Sequence, residues 1–309
     1  MALLDRTQTH VLAPARRGAA QRRRALVPWL FVAPALVLNL IVMAGPSLSS
    51  VYFSFTSWNG LGTPTWVGLD NFRQIAADQK VLTAIVNNVK WMALFLTVPI
   101  LMALVASSLL ASTRRGQLLY RTIYFIPVVI ATVVSAHVWM GIYSPLFGIS
   151  NVLNSWGLHW ANQDWLGQSN TALYSVAFVD NWHWWGFLVV VFLSAMHQVD
   201  PALYEAARVD GATRLRLFWH VTLPSIRPTL TFIFLMTIIW SFLAFDFVFI
   251  MTQGGPGYAT QLLAIRVWQA AFTEFDAGYA SAIALCLSAI CIAVIAGYWV
   301  LRRRVEEIA

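Results

Sequence analysis

Charge is scarce in this chain: Asp, Glu, Lys and Arg make up 11% of its 309 residues, against roughly 25% for a typical soluble domain. A soluble chain of this length covers its core with charge, and this one has too little for that. Cysteine is scarcer still. Cys286 and Cys291 are five apart in one apolar segment, which fits neither a metal site nor a disulfide framework. They read as small packing residues. No GxxxxGK[ST] and no GK pair occur, so no loop is built to cradle nucleotide phosphates. HExxH, GxSxG and clustered Cys/His are absent as well, and the six His are scattered. The sequence shows no catalytic constellation and calls for no cofactor or metal, so energy for any work must come from a partner.

What is present is apolar. Hydrophobic residues make up 59% and aromatics 14%, a load that suits interfacial belts in a bilayer. Six stretches reach the roughly 20 residues a span needs: 26–55, 84–111, 118–143, 173–196, 230–251 and 279–301. The expectation is an all-α polytopic membrane protein with six transmembrane helices. A basic tail at 1–25, read as disordered, precedes the six-helix domain at 26–301, and a short tail follows at 302–309. Pro28, Pro34 and Pro46 point to kinks or a short entry helix in the first span. That span is too long for a cleaved signal peptide and is read as a signal anchor.

Net charge is +7, but its placement argues for topology, not nucleic acid. Sixteen of the twenty basic residues fall in the first tail, the second-to-third connection, the fourth-to-fifth connection and the C-terminus. Arg73, Lys80, Lys90 and Arg266 lie on the other side. The positive side is cytoplasmic, which places both termini and the segment 200–224 in the cytoplasm.

Within that segment, Asp200-Pro201 starts a helix, since Asp can cap and Pro suits the first helical position. The helix runs through Glu205 to about Val209, and Asp210-Gly211 breaks it. A second helix runs from about Thr213 and stops before Pro224. Leu215, Phe218, Trp219 and Leu223 recur at helical spacing. Two short helices at an angle, tied to the ends of two spans, make a docking element.

Here EAA (205–207), three residues, Gly211, nine residues and VTLP (221–224) resemble the cytoplasmic loop of ABC importer permeases, with Val221 where Ile is usual. VGLDNF (67–72), RTIYFIP (121–127), FGISNVLN (147–154) and FDFVFIMTQGGP (245–256) resemble the sugar-uptake branch, similar to maltose-type and glycerol-3-phosphate permeases. The resemblance covers nearly all of residues 27–301. It implies the type I permease fold and a chain that forms half of a pore. The implied partners are a second, different permease subunit, two ATPase subunits, an extracytoplasmic solute-binding protein and the lipid bilayer. It also implies ATPase coupling through Glu205, Ala206, Ala207, Asp210, Gly211, Leu223 and Pro224.

Two carboxylates lie inside spans, Asp180 and Asp246, each about 8–11 Å from the outer end at 1.5 Å per residue. A charge there faces a water-filled path by default. Asp180, His183, Trp184 and Phe187 share one helical face, as do Phe242, Asp246 and Phe249. Polar groups beside aromatic rings suit a sugar-like substrate, and the resemblance implies a sugar between these two spans. His183, Trp184, Phe187, Phe242, Phe245, Asp246 and Phe249 are the candidate pathway; Asp180 is read as a helix-holding residue. His137 and Trp139 are weaker candidates. Ala280, Ala284 and Ser288, and Ala289, Ala293 and Gly297, have the spacing of close helix packing. Two other classes remain: an ATPase-independent secondary transporter or channel, and a membrane-embedded enzyme. Neither inverted repeats nor a polar cluster of enzyme type supports them.

Overall fold

A computed structural model describes Trp29 and residues 31–113, 115–158 and 163–306, with backbone alone over 301–306. The tail expected at 1–25 lies outside the described residues. The chain divides into two compact units, Met1–Tyr52 and Phe53–Ala309.

In the first unit the described chain is helix α1, Phe31–Phe53, long and apolar enough to span. It contains a π turn at Leu40–Ala44, closed by the Gly45 N–H donating to the Leu40 carbonyl. Pro46 follows directly. Proline has no N–H and its ring crowds the preceding turn; a π turn, widened by one residue, leaves room. The structure meets Pro46 with this π turn, and α1 runs on through it to Phe53.

The second unit opens with a two-stranded antiparallel hairpin, β1 Thr56–Ser57 and β2 Thr65–Trp66, and helix α2, Asp70–Ala77. Helix α3, Gln79–Ala111, starts where Asp78 caps it by accepting from the Lys80 N–H at 2.8 Å. At 33 residues it is about 50 Å long. It begins five residues before the expected start at 84. Then come α4 Gln117–Val129, α5 Thr132–Ile142, α6 Ile149–Ser155 and α7 Ala172–His197.

The third span departs from expectation. Residues 118–143 do not form one helix: α4 and α5 meet at 93°. Pro127 lies in the last turn of α4, and Ile130 and Ala131 are extended. The apolar run reads straight through, so periodicity alone hides the break.

The remainder is α8 Pro201–Val209, α9 Arg214–Leu217, a π turn at Phe218–Thr222, α10 Leu223–Ser225, α11 Arg227–Leu243, α12 Asp246–Met251, α13 Leu263–Phe272 and α14 Ala277–Glu306. Helix α14 continues five residues beyond the expected boundary at 301. Among the described residues five helical stretches are long and apolar enough to cross a membrane, and six if α4 and α5 count as one.

Helices α3 and α7 pack along their lengths and form the spine of this unit. At one end, Trp91, Phe95, Val176, Phe247 and Ile265 bury together; at the other, Ala103, Leu188, Phe192, Ile226 and Ile233 do. A third cluster seats α14 through Tyr279, Ala280 and Ile283. Helix α4 approaches α7 so closely that a Cβ on Gly186 would meet the Tyr124 carbonyl. Of the two small-residue rows in α14, Ala280 is buried, whereas Ala289, Ala293 and Gly297 are exposed on this chain.

Candidate functional site

The segment 200–224 folds as two short helices, and local chemistry explains each boundary. Asp200 caps α8 by accepting from the Ala202 N–H at 2.9 Å, with Pro201 in the first turn. The helix ends at Val209. Gly211 adopts φ +77, a conformation nearly free for glycine and strained for other residues. There the Gly211 and Ala212 N–H groups donate back to the Arg208 and Ala207 carbonyls. Thr213 then caps α9 by accepting from the Arg216 N–H.

One expectation is corrected here. The second helix does not stop before Pro224, because the π turn at Phe218–Thr222 carries it through to Ser225. The wider turn makes room for the proline ring as it does in α1.

The pair is fastened from one side. Tyr204 Oη lies 3.0 Å from Thr222 Oγ1, and Leu217, Phe218 and Val221 pack inward. The other side is open. Glu205, Ala206, Asp210, Gly211 and Pro224 are exposed, with Ala207 and Leu223 half-buried. Val209, Leu215 and Trp219 are exposed on the same segment, as are Arg208, Arg214 and Arg216. Exposed apolar side chains accompanied by arginine are the composition of a protein contact surface.

A second feature lies between the spans. A cavity of about 200 Å³ is lined by Asp180, His183, Phe245, Asp246, Trp91 and Thr132 among others. It exists because α11 ends at Leu243 and α12 begins at Asp246, so Leu243 through Val248 turn across its wall. The expected face of Phe242, Asp246 and Phe249 is therefore not a helical stripe. Phe242 is buried against α14 instead, and Phe249 stacks on Phe245 at 4.9 Å. Trp184 and Phe187 do not line the cavity. They stack on each other at 4.7 Å, with Trp240 edge-on to Trp184 at 4.3 Å. Helix α7 packs against α3, α4, α5 and α12, so residues a turn apart meet different neighbours.

Of the candidate pathway residues, the cavity brings together His183, Phe245 and Asp246. It adds Asp180, which sequence reading assigned to helix packing, and Trp91, which it missed. His183 Nδ1 is buried with no hydrogen-bond partner among the described residues, and its ring is edge-on to Phe247 at 5.4 Å. The lining includes no Lys or Arg. The set can accept hydrogen bonds from hydroxyls and offer aromatic faces to a ring. His137 instead bonds the Val133 carbonyl within its own helix, and Trp139 packs on Phe178 and Trp182.

Residues 92–307 match the family described as binding-protein-dependent transport system inner membrane component. The chain belongs to that family. Bacillus subtilis YurN, a probable ABC transporter permease protein, is 33% identical over 273 residues, 87% of this chain and 93% of that protein. The Streptomyces coelicolor diacetylchitobiose uptake system permease protein NgcF is 33% identical over 297 residues, 90% and 84% of the two. The fold is similar to that of a chain of a bacterial ABC transporter involved in the import of the acidic polysaccharide alginate. The TM-score is 0.83 at 22% identity over 92% of this chain and 98% of that one. The protein is thus a membrane permease subunit of a transport system that depends on a binding protein. This agrees with the family reading of the EAA segment and its surroundings.

Proposed function

We propose that this permease is one of two unlike pore subunits of an ATP-driven importer for a sugar. Of its two ATPase subunits, one docks on α8, Gly211 and α9 of this chain. The observation that carries this is the fastened helix–turn–helix, whose outer side exposes Val209, Leu215 and Trp219 together with Arg208, Arg214, Arg216 and Glu205. Glu205 pairs with a basic group of the ATPase, and Gly211 sets the angle of the two helices. Arginine placement puts this surface and both termini in the cytoplasm.

Solute reaches the cavity of Asp180, His183 and Asp246 from the opposite side, delivered by the binding protein. Closure of the ATPase pair on ATP moves α8 and α9, and the packed spine of α3 and α7 carries that motion to the cavity. NgcF, with its diacetylchitobiose system, and the alginate transporter favour a saccharide. The acidic lining without Lys or Arg favours a neutral one over an anionic one.

The test is affinity purification of the tagged chain from its native membrane in mild detergent, with mass spectrometry of what accompanies it. An ATPase, a second permease and a solute-binding protein are expected together. Recovery of the chain alone, under conditions that preserve other membrane complexes, would sink the reading.

A further inference from the structure

Asn87 and Asn88 stand side by side in α3 at 3% and 0% exposure. An amide left unpaired in a dry interior costs about 1–3 kcal/mol, so both need partners, and they find different ones. Asn87 Nδ2 donates to the carbonyls of Ala259 and Gln261, each at 3.1 Å. It therefore holds the loop 252–262 alone.

Asn88 does two things at once. Its Nδ2 donates to the Ser241 carbonyl at 2.7 Å, and its Oδ1 accepts from the Leu263 N–H at 2.8 Å. Ser241 is in the last turn of α11, where the break after Leu243 removes the amides that would have reached its carbonyl. Leu263 opens α13, where no earlier turn offers its N–H a carbonyl. One side-chain amide thus caps the end of one helix and the start of another.

The break it caps is the one that forms the cavity wall from Leu243 to Val248. Trp91, one turn further along the same face of α3, lines that cavity as well.

We propose that Asn88 is the positioning residue of the cavity. It holds the α11–α12 break that presents Phe245 and Asp246, and through Leu263 it ties that break to the end of the loop 252–262. Asn87 donates to carbonyls of the loop instead, so it secures the loop and not the break. The inference rests on the cavity being the solute path, and its first test is independent of solute.

Asn88→Leu and Asn87→Leu are introduced separately into the transport complex in its membrane, in a chain carrying Cys286→Ala, Cys291→Ala and Asp246→Cys. A membrane-impermeant thiol reagent then reads exposure at position 246. Asn88→Leu is expected to change the labelling rate about tenfold, the scale of a typical coupling between linked sites. Asn87→Leu is expected to stay within about twofold, as for an independent site. Equal changes, or no change from Asn88→Leu, overturn the proposal. If Asn88→Leu does not reach the membrane, Asn88→Asp keeps the volume and the acceptor for Leu263 but loses the Nδ2 donor, and the same criterion applies. With position 246 restored to Asp, Asn88→Leu should raise the half-saturating solute concentration and Asn87→Leu should not. If the unaltered complex moves no sugar, the transport reading fails while the labelling result still decides the role of Asn88.

Discussion

Arg266 Nη2 lies 3.1 Å from Asp78 Oδ2, a contact that joins the start of α3 to the middle of α13. The guanidinium is almost fully buried, and its Nη1 reaches Glu274 at 2.9 Å. Tyr279 Oη donates to the same Asp78 oxygen at 2.8 Å. Burial pushes both carboxyls up. The hydrogen bonds from Tyr279, Lys80 N–H and Arg266 to Asp78, and from Arg266 and Lys80 to Glu274, outweigh it and hold both below their ordinary values. Removing one partner strands the other, which costs about 3–5 kcal/mol for a buried pair. Arg266→Leu should therefore lower the melting temperature of the purified chain well beyond Arg73→Leu, which removes an exposed pair with Asp70 worth at most about 1 kcal/mol. Equal effects would refute the clamp.

The same clamp sets a pH dependence. Both carboxyls titrate lower folded than unfolded. Their stabilisation is thus complete above the unfolded carboxylate range, about pH 4. It is lost as pH falls through the folded values. Melting temperature measured from pH 7 to pH 3 should fall at the acid end in the native chain. It should fall less in Asp78→Asn, which starts lower.

Little of this clamp was legible in the sequence. Arg266 and Asp78 are 188 residues apart, and nothing local connects them. The helix–turn–helix at 200–225 was legible almost to the residue, because caps, a left-handed glycine and helical spacing are local chemistry. It failed only at Pro224, where a π turn let the helix continue. The cavity was half legible. Asp246 and His183 stood out as polar groups in apolar runs, but the break at Ala244 and Phe245 carries no glycine or proline, so a continuous helix misplaced Phe242. Asn87 and Asn88 were in plain view, and their partners were not.

Gly186 faces the Tyr124 carbonyl with no room for a Cβ. Gly186→Ala should force α4 from α7 and destabilise the chain by about 1–3 kcal/mol, the range for overpacking. Gly141→Ala, with open space around its Cα, is the control and should be near neutral in the same thermal unfolding assay.

Tyr204 and Thr222 fasten the two helices of this segment through one hydroxyl pair. Tyr204→Phe removes only that bond, worth about 1 kcal/mol. Expected is a normally assembled complex that moves less solute per ATP hydrolysed. Loss of assembly would mean the bond is needed for docking, not for transmission.

The cavity carboxylates should act as acceptors for solute hydroxyls. Asp246→Asn is expected to raise the half-saturating solute concentration by about tenfold or more, as for loss of a hydrogen bond to a charged group, with the complex still assembled. An unchanged value would remove Asp246 from the solute path.

The most direct measurement is solute-stimulated ATP hydrolysis by the reconstituted complex in liposomes, native against Glu205→Lys. The substitution reverses an exposed charge beside the Gly211 turn and leaves the buried core untouched. The expected result is a properly folded chain whose binding protein and solute no longer stimulate hydrolysis, with uptake lost in parallel. Undiminished stimulation and uptake in Glu205→Lys would contradict the assignment of this surface as the point where ATP hydrolysis enters the permease.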